Sequence, residues 1–427
     1  MPRVVIVGGG LSGCGAALAA RKAGSQVTLL ERTNMLVGVA MRSGESRGNG
    51  WFVGQHELKF LGGGELFAVL ESAKLHEGMR FPDTDKAFLF NVGLIEPRVR
   101  KVLREAGVKV SLESRAVDVV KEEGWLRAVK LENGCLEEGD AFVDCTGTRG
   151  GIAFCNNYGK GCVMCLVKCL AFGDRVSIVE KAGGKEWRRI RADGTPGRLT
   201  LGLTVFKDTL APELKARVEQ EGLVKIPLPQ DMVDLSKLGM MDSGRSKEFV
   251  ENLILGDIGL VAKIFAFVST SLEQLHKVPG LENVLVEHPG SPRHGHVGYL
   301  AIASRDTFLK VEGFENLFCG GEKAGNGSVD GAITTGYLAG HNAARQAAGR
   351  ELLILPRSLA IGDWMAFTTE RYRSQDRERK TSYNMSRGEY WERMQKIGLY
   401  TEDVDQIAKR VKETGLSDVL GQPLPIA

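Results

Sequence analysis

The apolar pattern is sharpest in the first thirty residues. Arg3 to Val7 is a short, β-branched apolar run, which predicts a strand buried on both faces. An Ala- and Leu-rich stretch from Ser12 to Ala23 predicts a helix that stops at Gly24. Val27 to Glu31 predicts a second strand, closing a βαβ unit. Farther on, Leu58 to His76 reads as helical around a break at Gly62–Gly64, and Pro97 to Ala106 as a helix with proline in its first turn. Val108–Leu112, Ala116–Val120 and Leu126–Leu131 read as short strands, with a turn signal at Asn133-Gly134. Asp140 to Asp144 is another strand, running into Cys145-Thr146-Gly147.

From about residue 150 to 290 the periodicity is less regular. Arg198–Phe206 is strand-like and Pro212–Gln220 helical, and a Lys-, Met- and Leu-rich stretch runs to about Phe267. A clear pattern returns at Asn316–Cys319, a strand entering Gly320-Gly321-Glu322. A glycine loop from Lys323 to Ser328 and a helix of small residues from Val329 to Ala348 follow. The tail beyond Pro356 reads as helical and polar. The expected fold class is α/β. Residues 1–150 form the first part of a Rossmann-like dinucleotide-binding domain and 151–290 an inserted α+β substrate or redox domain. Residues 291–350 form the returning part of the first domain, and 351–427 a helical C-terminal region.

The chemistry starts with Gly8, Gly10 and Gly13, spaced G-x-G-x-x-G between a strand and a helix. The first permits the tight turn. The second lets backbone N–H groups approach a pyrophosphate, and the third lets helix and strand pack closely. The helix N-terminus adds unpaired N–H groups and a positive dipole end. Glu31, followed by Arg32, lies where a carboxylate binds ribose hydroxyls. The irregular segment from Asn34 to Gly50 is placed to cover a cofactor, with Arg42, Ser43 and Arg47 as polar candidates.

Composition changes this picture little. The chain has 427 residues, 43% of them hydrophobic and 26% charged, and a net charge of +3, so no strong field calls for a polyanionic partner. No signal-peptide pattern precedes the first strand, and the most apolar stretch, Leu253 to Thr270, is interrupted by Asp257 and Lys263. A cytoplasmic protein without a membrane partner is expected. Arg373, Arg377, Arg379 and Lys380 make a basic run, but Asp376 and Glu378 interrupt it, so nucleic acid is the less favoured partner.

Four of the eight cysteines, Cys155, Cys162, Cys165 and Cys169, fall within fifteen residues. Their C-x2-C-x3-C core suits an iron–sulfur cluster with Cys155 as fourth ligand, a dithiol redox pair at Cys162 and Cys165, a zinc site, or plain packing. His294 and His296, in a glycine-containing loop, are candidates for proton transfer or anion binding.

Together the Gly8–Glu31 fingerprint, the Thr146-Gly147 turn and the segment from Leu317 to Arg345 resemble the FAD-dependent oxidoreductases of the glutathione-reductase-like superfamily, flavoproteins with two dinucleotide-binding domains. The last segment is similar to the C-terminal FAD segment of the GidA and TrmFO flavoproteins, which modify tRNA. The resemblance implies FAD in an extended pose. Its pyrophosphate would lie at Gly8, Gly10 and Gly13, its ribose at Glu31 and Arg32, and its adenine near Val117. The Thr146-Gly147 turn would approach it, the ribityl chain would lie near Gly321 and Glu322, and the flavin pyrimidine near Gly331, Ala332 and Ile333. Cys145 stands where that family has a small residue. No second G-x-G-x-x-G follows a strand, and the C-x4-C pair of the disulfide reductases is missing. The function expected is an oxidoreductase passing hydride or electrons between a small substrate and FAD, with the cysteines as an iron–sulfur or dithiol relay. The alternatives are an RNA-modifying flavoprotein and an FAD-binding subunit with a redox partner protein. A second copy of the chain is a further possible partner.

Overall fold

The computed structural model describes residues 1–81, 84–147, 176–188, 199–200, 203–235, 247–265, 272–286, 297–298, 301–326, 328–373 and 383–424. Its central sheet has five parallel strands in the order Leu317–Cys319, Ala141–Asp144, Arg3–Val7, Gln26–Leu30 and Lys109–Ser111. Val4 to Val7 occupy the middle of this sheet and are buried, which is why their run lacks alternation. The chain order runs outward in both directions from Arg3–Val7, so the carboxyl end of this strand is a topological switch point, where open α/β sheets bind ligands.

Two helices meet over that sheet, Leu11–Lys22 and Val329–Ala347. Small residues set their separation. A Cβ on Gly336 would lie 2.1 Å from the Ser12 carbonyl oxygen, and one on Gly340 would lie 2.1 Å from that of Ala16. The helix that carries the first glycine fingerprint is therefore packed backbone to backbone on one that begins over 300 residues later.

Two sequence expectations shift. The Leu58–His76 helix is in fact two helices, Gly50–Phe60 and Glu65–Ser72, followed by the strand Lys74–Phe81. That strand is fixed by pairing with Thr84–Phe90. The helix expected from Pro97 begins at Val92, because the Asn91 side chain caps it by accepting from the Gly93 N–H at 3.0 Å. Pro97 lies in its second turn.

A four-stranded antiparallel sheet, in the order Leu203–Phe206, Val261–Ile264, Asn252–Asp257 and Leu223–Pro227, carries the helix Pro212–Glu221 and a core of its own, from Val205 to Val284. The two charges that interrupt its apolar run tie it to the first unit. Asp257 accepts from Lys207 Nζ at 2.9 Å and pairs with His76 Nε2 at 3.1 Å. Lys263 Nζ donates to Ser43 O and to Glu45 Oε2, both at 2.7 Å. C-terminal helices Ala360–Arg373, Gly388–Lys396 and Val404–Glu413 complete the fold. Buried Glu57 accepts from the Ala360 and Ile361 N–H groups at the start of the first of these. Among the described residues no helix is long and apolar enough to cross a membrane.

Candidate cofactor site

A cleft opens at the carboxyl ends of the central strands. Gly8, Gly10, Leu11 and Ser12 line it from the first βα turn, Glu31, Arg32 and Thr33 from the end of the second strand, and Val37 to Ala40 and Ser43 from the segment after it. Ser114 to Ala116 form one end. Cys145 to Gly147, Gly320 to Glu322, Asn326 and the first turn of the Val329–Ala347 helix form the other.

Each glycine of the fingerprint answers a different constraint. Gly8 has φ +105°, and a Cβ there would fall 2.4 Å from the Cys145 carbonyl oxygen. A Cβ on Gly13 would fall 1.8 Å from Gly8 O, so this glycine serves packing behind the cleft. Gly10 differs. Its φ of −66° suits any residue, and among the described residues no atom lies within 4 Å of the position a Cβ would take. Neither strain nor packing among the described residues requires glycine there. The open space at the amino end of Leu11–Lys22 is what a ligand that approaches the backbone needs.

Glu31 is buried and holds the cradle in shape. Its Oε2 accepts from the Gly9 N–H at 2.7 Å, and its Oε1 accepts from Thr33 N–H at 2.8 Å and from Thr33 Oγ1 at 2.9 Å. A carboxylate has about four lone-pair positions, so one on Oε2 is left for a sugar hydroxyl. Val37 sits beside it at φ +72°, a strained setting for a β-branched residue, and its N–H donates to Gly9 O at 2.7 Å. Strain of this kind concentrates at binding sites.

Asp144 organises the opposite wall. Its Oδ1 accepts from Thr146 N–H at 3.0 Å and from Thr146 Oγ1 at 2.7 Å. Its Oδ2 accepts from Ser177 Oγ at 3.1 Å and from Val179 N–H at 3.0 Å. One buried carboxylate thus pins both the Thr146-Gly147 turn and the segment from Ser177 to Val179, next to Val176, another lining residue. Cys145 Sγ lies 3.5 Å from Ser12 Oγ, and burial pushes the Cys145 and Cys14 thiols up to about 12. Both stay protonated at neutral pH and are poor nucleophiles there.

The loop before the Val329–Ala347 helix is braced from outside the cleft. Buried Arg305 donates from Nη2 to Ala324 O and Thr368 Oγ1, both at 2.9 Å, and from Nη1 to Thr369 Oγ1 at 2.7 Å. Tyr372 Oη donates to Gly325 O at 3.0 Å. Buried Lys323 pairs with Glu186 at 2.6 Å.

Residues 3–154 match the family described as FAD dependent oxidoreductase, and residues 267–351 match that described as Glucose inhibited division protein A. The chain thus carries an FAD-dependent-oxidoreductase-like first segment and a GidA-like returning segment. The methylenetetrahydrofolate–tRNA-(uracil-5-)-methyltransferase TrmFO of Caldicellulosiruptor bescii is 31% identical over 93 residues, or 22% of this chain. The match spans 21% of that relative's own length. Aquifex aeolicus GidA has a similar fold in two crystal forms. Form II gives a TM-score of 0.62 at 16% identity, covering 96% of this chain and 76% of that one. Form I gives 0.60 at 16% identity, covering 97% and 78%. Identities this low establish a common fold and nothing finer.

The cleft gathers Gly8, Gly10, Glu31, Arg32, Thr146, Gly147, Gly321, Glu322 and Ala332. It does not include Val117, whose neighbour Ala116 lines it instead. Nor does it include Gly331, which packs on Asn326, or Ile333, whose carbonyl lies against Gly15. Cys155, Cys162, Cys165, Cys169, His294 and His296 lie outside the described residues. Among the described residues no group of three or more His, Cys, Asp or Glu is placed to hold a metal. Sequence reasoning missed Asp144, Arg305 and Asn326. The Asn326-Gly327 pair was a turn signal within the glycine loop, but nothing local marked Asp144 or Arg305 as braces.

Proposed function

We propose that the cleft binds FAD and that the chain passes hydride or electrons between a small substrate and that flavin. The observation that carries this reading is Gly10, a glycine that neither the backbone nor any neighbouring atom of the described residues requires. The N–H groups at the start of Leu11–Lys22 would hold the pyrophosphate, and Glu31 Oε2 the adenosine ribose. Ser114 to Ala116 would flank the adenine, and Gly321 and Glu322 the ribityl chain. The first turn of Val329–Ala347 would face the flavin pyrimidine edge. Bound there, FAD would supply two-electron chemistry at its ring. The chain's part is to orient the ring, to exclude water with Val37, Val39, Ala40 and Val329, and to place a helix N-terminus beside developing negative charge.

The cysteine quartet belongs to this proposal as a relay, supported by its spacing and by the cleft-lining positions of Gly147 and Val176 on either side of it. The test is an anaerobic visible spectrum of the purified protein with iron and acid-labile sulfide analysis. Flavin bands with matching iron and sulfide support the iron–sulfur relay, and flavin bands alone restrict the cysteines to thiol chemistry or packing. Absence of any flavin, with none taken up from added FAD, overturns the cofactor assignment.

A second reading, an RNA-modifying flavoprotein, is favoured by the GidA-like match over residues 267–351 and by the short TrmFO likeness. Tight binding of tRNA beyond that of a random polyanion supports it, and equal, steeply salt-dependent binding of both refutes it.

A further inference from the structure

Asn326 lines the cleft, is 1% exposed, and belongs to the loop that enters the Val329–Ala347 helix. Its side-chain orientation is fixed by chemistry. The Ser328 backbone N–H can only donate, and it donates to Asn326 Oδ1 at 2.7 Å; Ser328 Oγ lies 2.9 Å from the same oxygen. The oxygen must therefore face Ser328, and the amide nitrogen must point the other way. That nitrogen is buried and has no hydrogen-bond partner among the described residues. It stands beside the first turn of the helix, since a Cβ on Gly331 would meet it at 2.0 Å.

A buried amide donor left unpaired by the described residues costs about 1–3 kcal/mol, so its retention calls for an acceptor beyond them, which a bound ligand supplies. The positive end of the helix dipole beside it favours the same kind of ligand, an electron-rich or anionic edge. We propose that Asn326 Nδ2 donates a hydrogen bond to the pyrimidine edge of the flavin and thereby stabilises the negative charge this edge acquires on reduction. The proposal rests on the FAD reading. Arg305, Thr368, Thr369 and Tyr372 then act as positioning residues, because they hold the Ala324 and Gly325 carbonyls of the loop that carries Asn326.

The test uses the flavin-loaded protein and a probe that needs no substrate. Sulfite adds reversibly to the flavin ring and puts negative charge on the pyrimidine edge, so its affinity reports the donor directly. Asn326→Asp keeps the acceptor oxygen facing Ser328 and changes only the donor side. It is expected to weaken sulfite binding at least tenfold and to lower the two-electron midpoint potential by about 30 mV, the equivalent of tenfold. Asn326→Ser, which restores a neutral donor, is expected to recover part of both, and it carries the same comparison if the Asp variant purifies without flavin. Wild-type sulfite affinity and potential in both variants would reduce Asn326 to a brace for Ser328 and overturn the proposal. Failure of the wild-type protein to bind FAD would instead overturn the cofactor reading, and is seen before either variant is made.

Discussion

Replacing Gly10 separates binding from folding more cleanly than any other change in the fingerprint. In Gly10→Val the new side chain points into space that is open within 4 Å of its Cβ, and φ of −66° suits valine. Stability of the ligand-free chain should hardly change. Loss of glycine's freedom in the unfolded chain stabilises by about 0.4–1 kcal/mol. A β-branched residue in place of glycine at a helix N-cap costs about the same. Cofactor affinity should fall at least a hundredfold, about 2.7 kcal/mol, because the branched side chain fills the approach to the helix N-terminus. At FAD one hundred times its wild-type Kd, binding stabilises the wild-type protein by about 2.7 kcal/mol. With an unfolding entropy near 2.1 cal/mol/K per residue, about 0.9 kcal/mol/K for 427 residues, this shift is about 3 °C. The assay is a pair of thermal melts per variant, with and without FAD. Wild type should show the rise, and Gly10→Val a rise of no more than about 0.5 °C. A variant with the wild-type FAD shift would refute the reasoning, and one that is unfolded without FAD would show that Gly10 has a packing role after all.

Two more predictions follow from the scaffold. Gly340→Ala sets a helix-propensity gain of about 1 kcal/mol against a Cβ placed 2.1 Å from the Ala16 carbonyl oxygen; overpacking of 1–3 kcal/mol wins, and a higher Tm than wild type would contradict this. Burial raises the Glu57 carboxyl from 4.5 to about 7 despite its backbone donors and Arg410. The proton is held more tightly in the folded state, so its stabilising contribution is complete below pH 4.5 and is lost as pH rises through 7, about 3 kcal/mol in all. Glu57→Gln should flatten that part of the stability profile between pH 4.5 and 7, and an unchanged slope in urea melts across this range would rule the account out.

Much of the cofactor end of the fold was legible because its signals are local. The helix expected from Ser12 to Ala23 spans Leu11–Lys22, and that expected from Val329 spans Val329–Ala347, since small-residue periodicity and flanking glycines mark both. The strand at Lys74 was not legible. Its sequence continues a helical pattern, and only pairing with Thr84–Phe90 and the contact from His76 to Asp257 decide against it. The same holds within the site. Gly8, Gly10 and Glu31 announce themselves by spacing, whereas Arg305 and Asp144 act on residues brought together by tertiary folding. Lys263 showed only as a charge spoiling an apolar run, and its partners, Ser43 and Glu45, lie some 220 residues earlier.

The backbone-to-backbone seam between Leu11–Lys22 and Val329–Ala347 also has a consequence in time. During synthesis at 5–20 residues per second, the first helix waits about 15–65 s for the second. Until then the surface at Ser12 and Ala16 has no mate, and the cleft lacks one wall. The cleft is therefore completed only once residue 347 has been made, although its glycine fingerprint is synthesised over 300 residues earlier. A chain truncated before residue 347 would carry the whole glycine fingerprint and still have no finished place for its ligand.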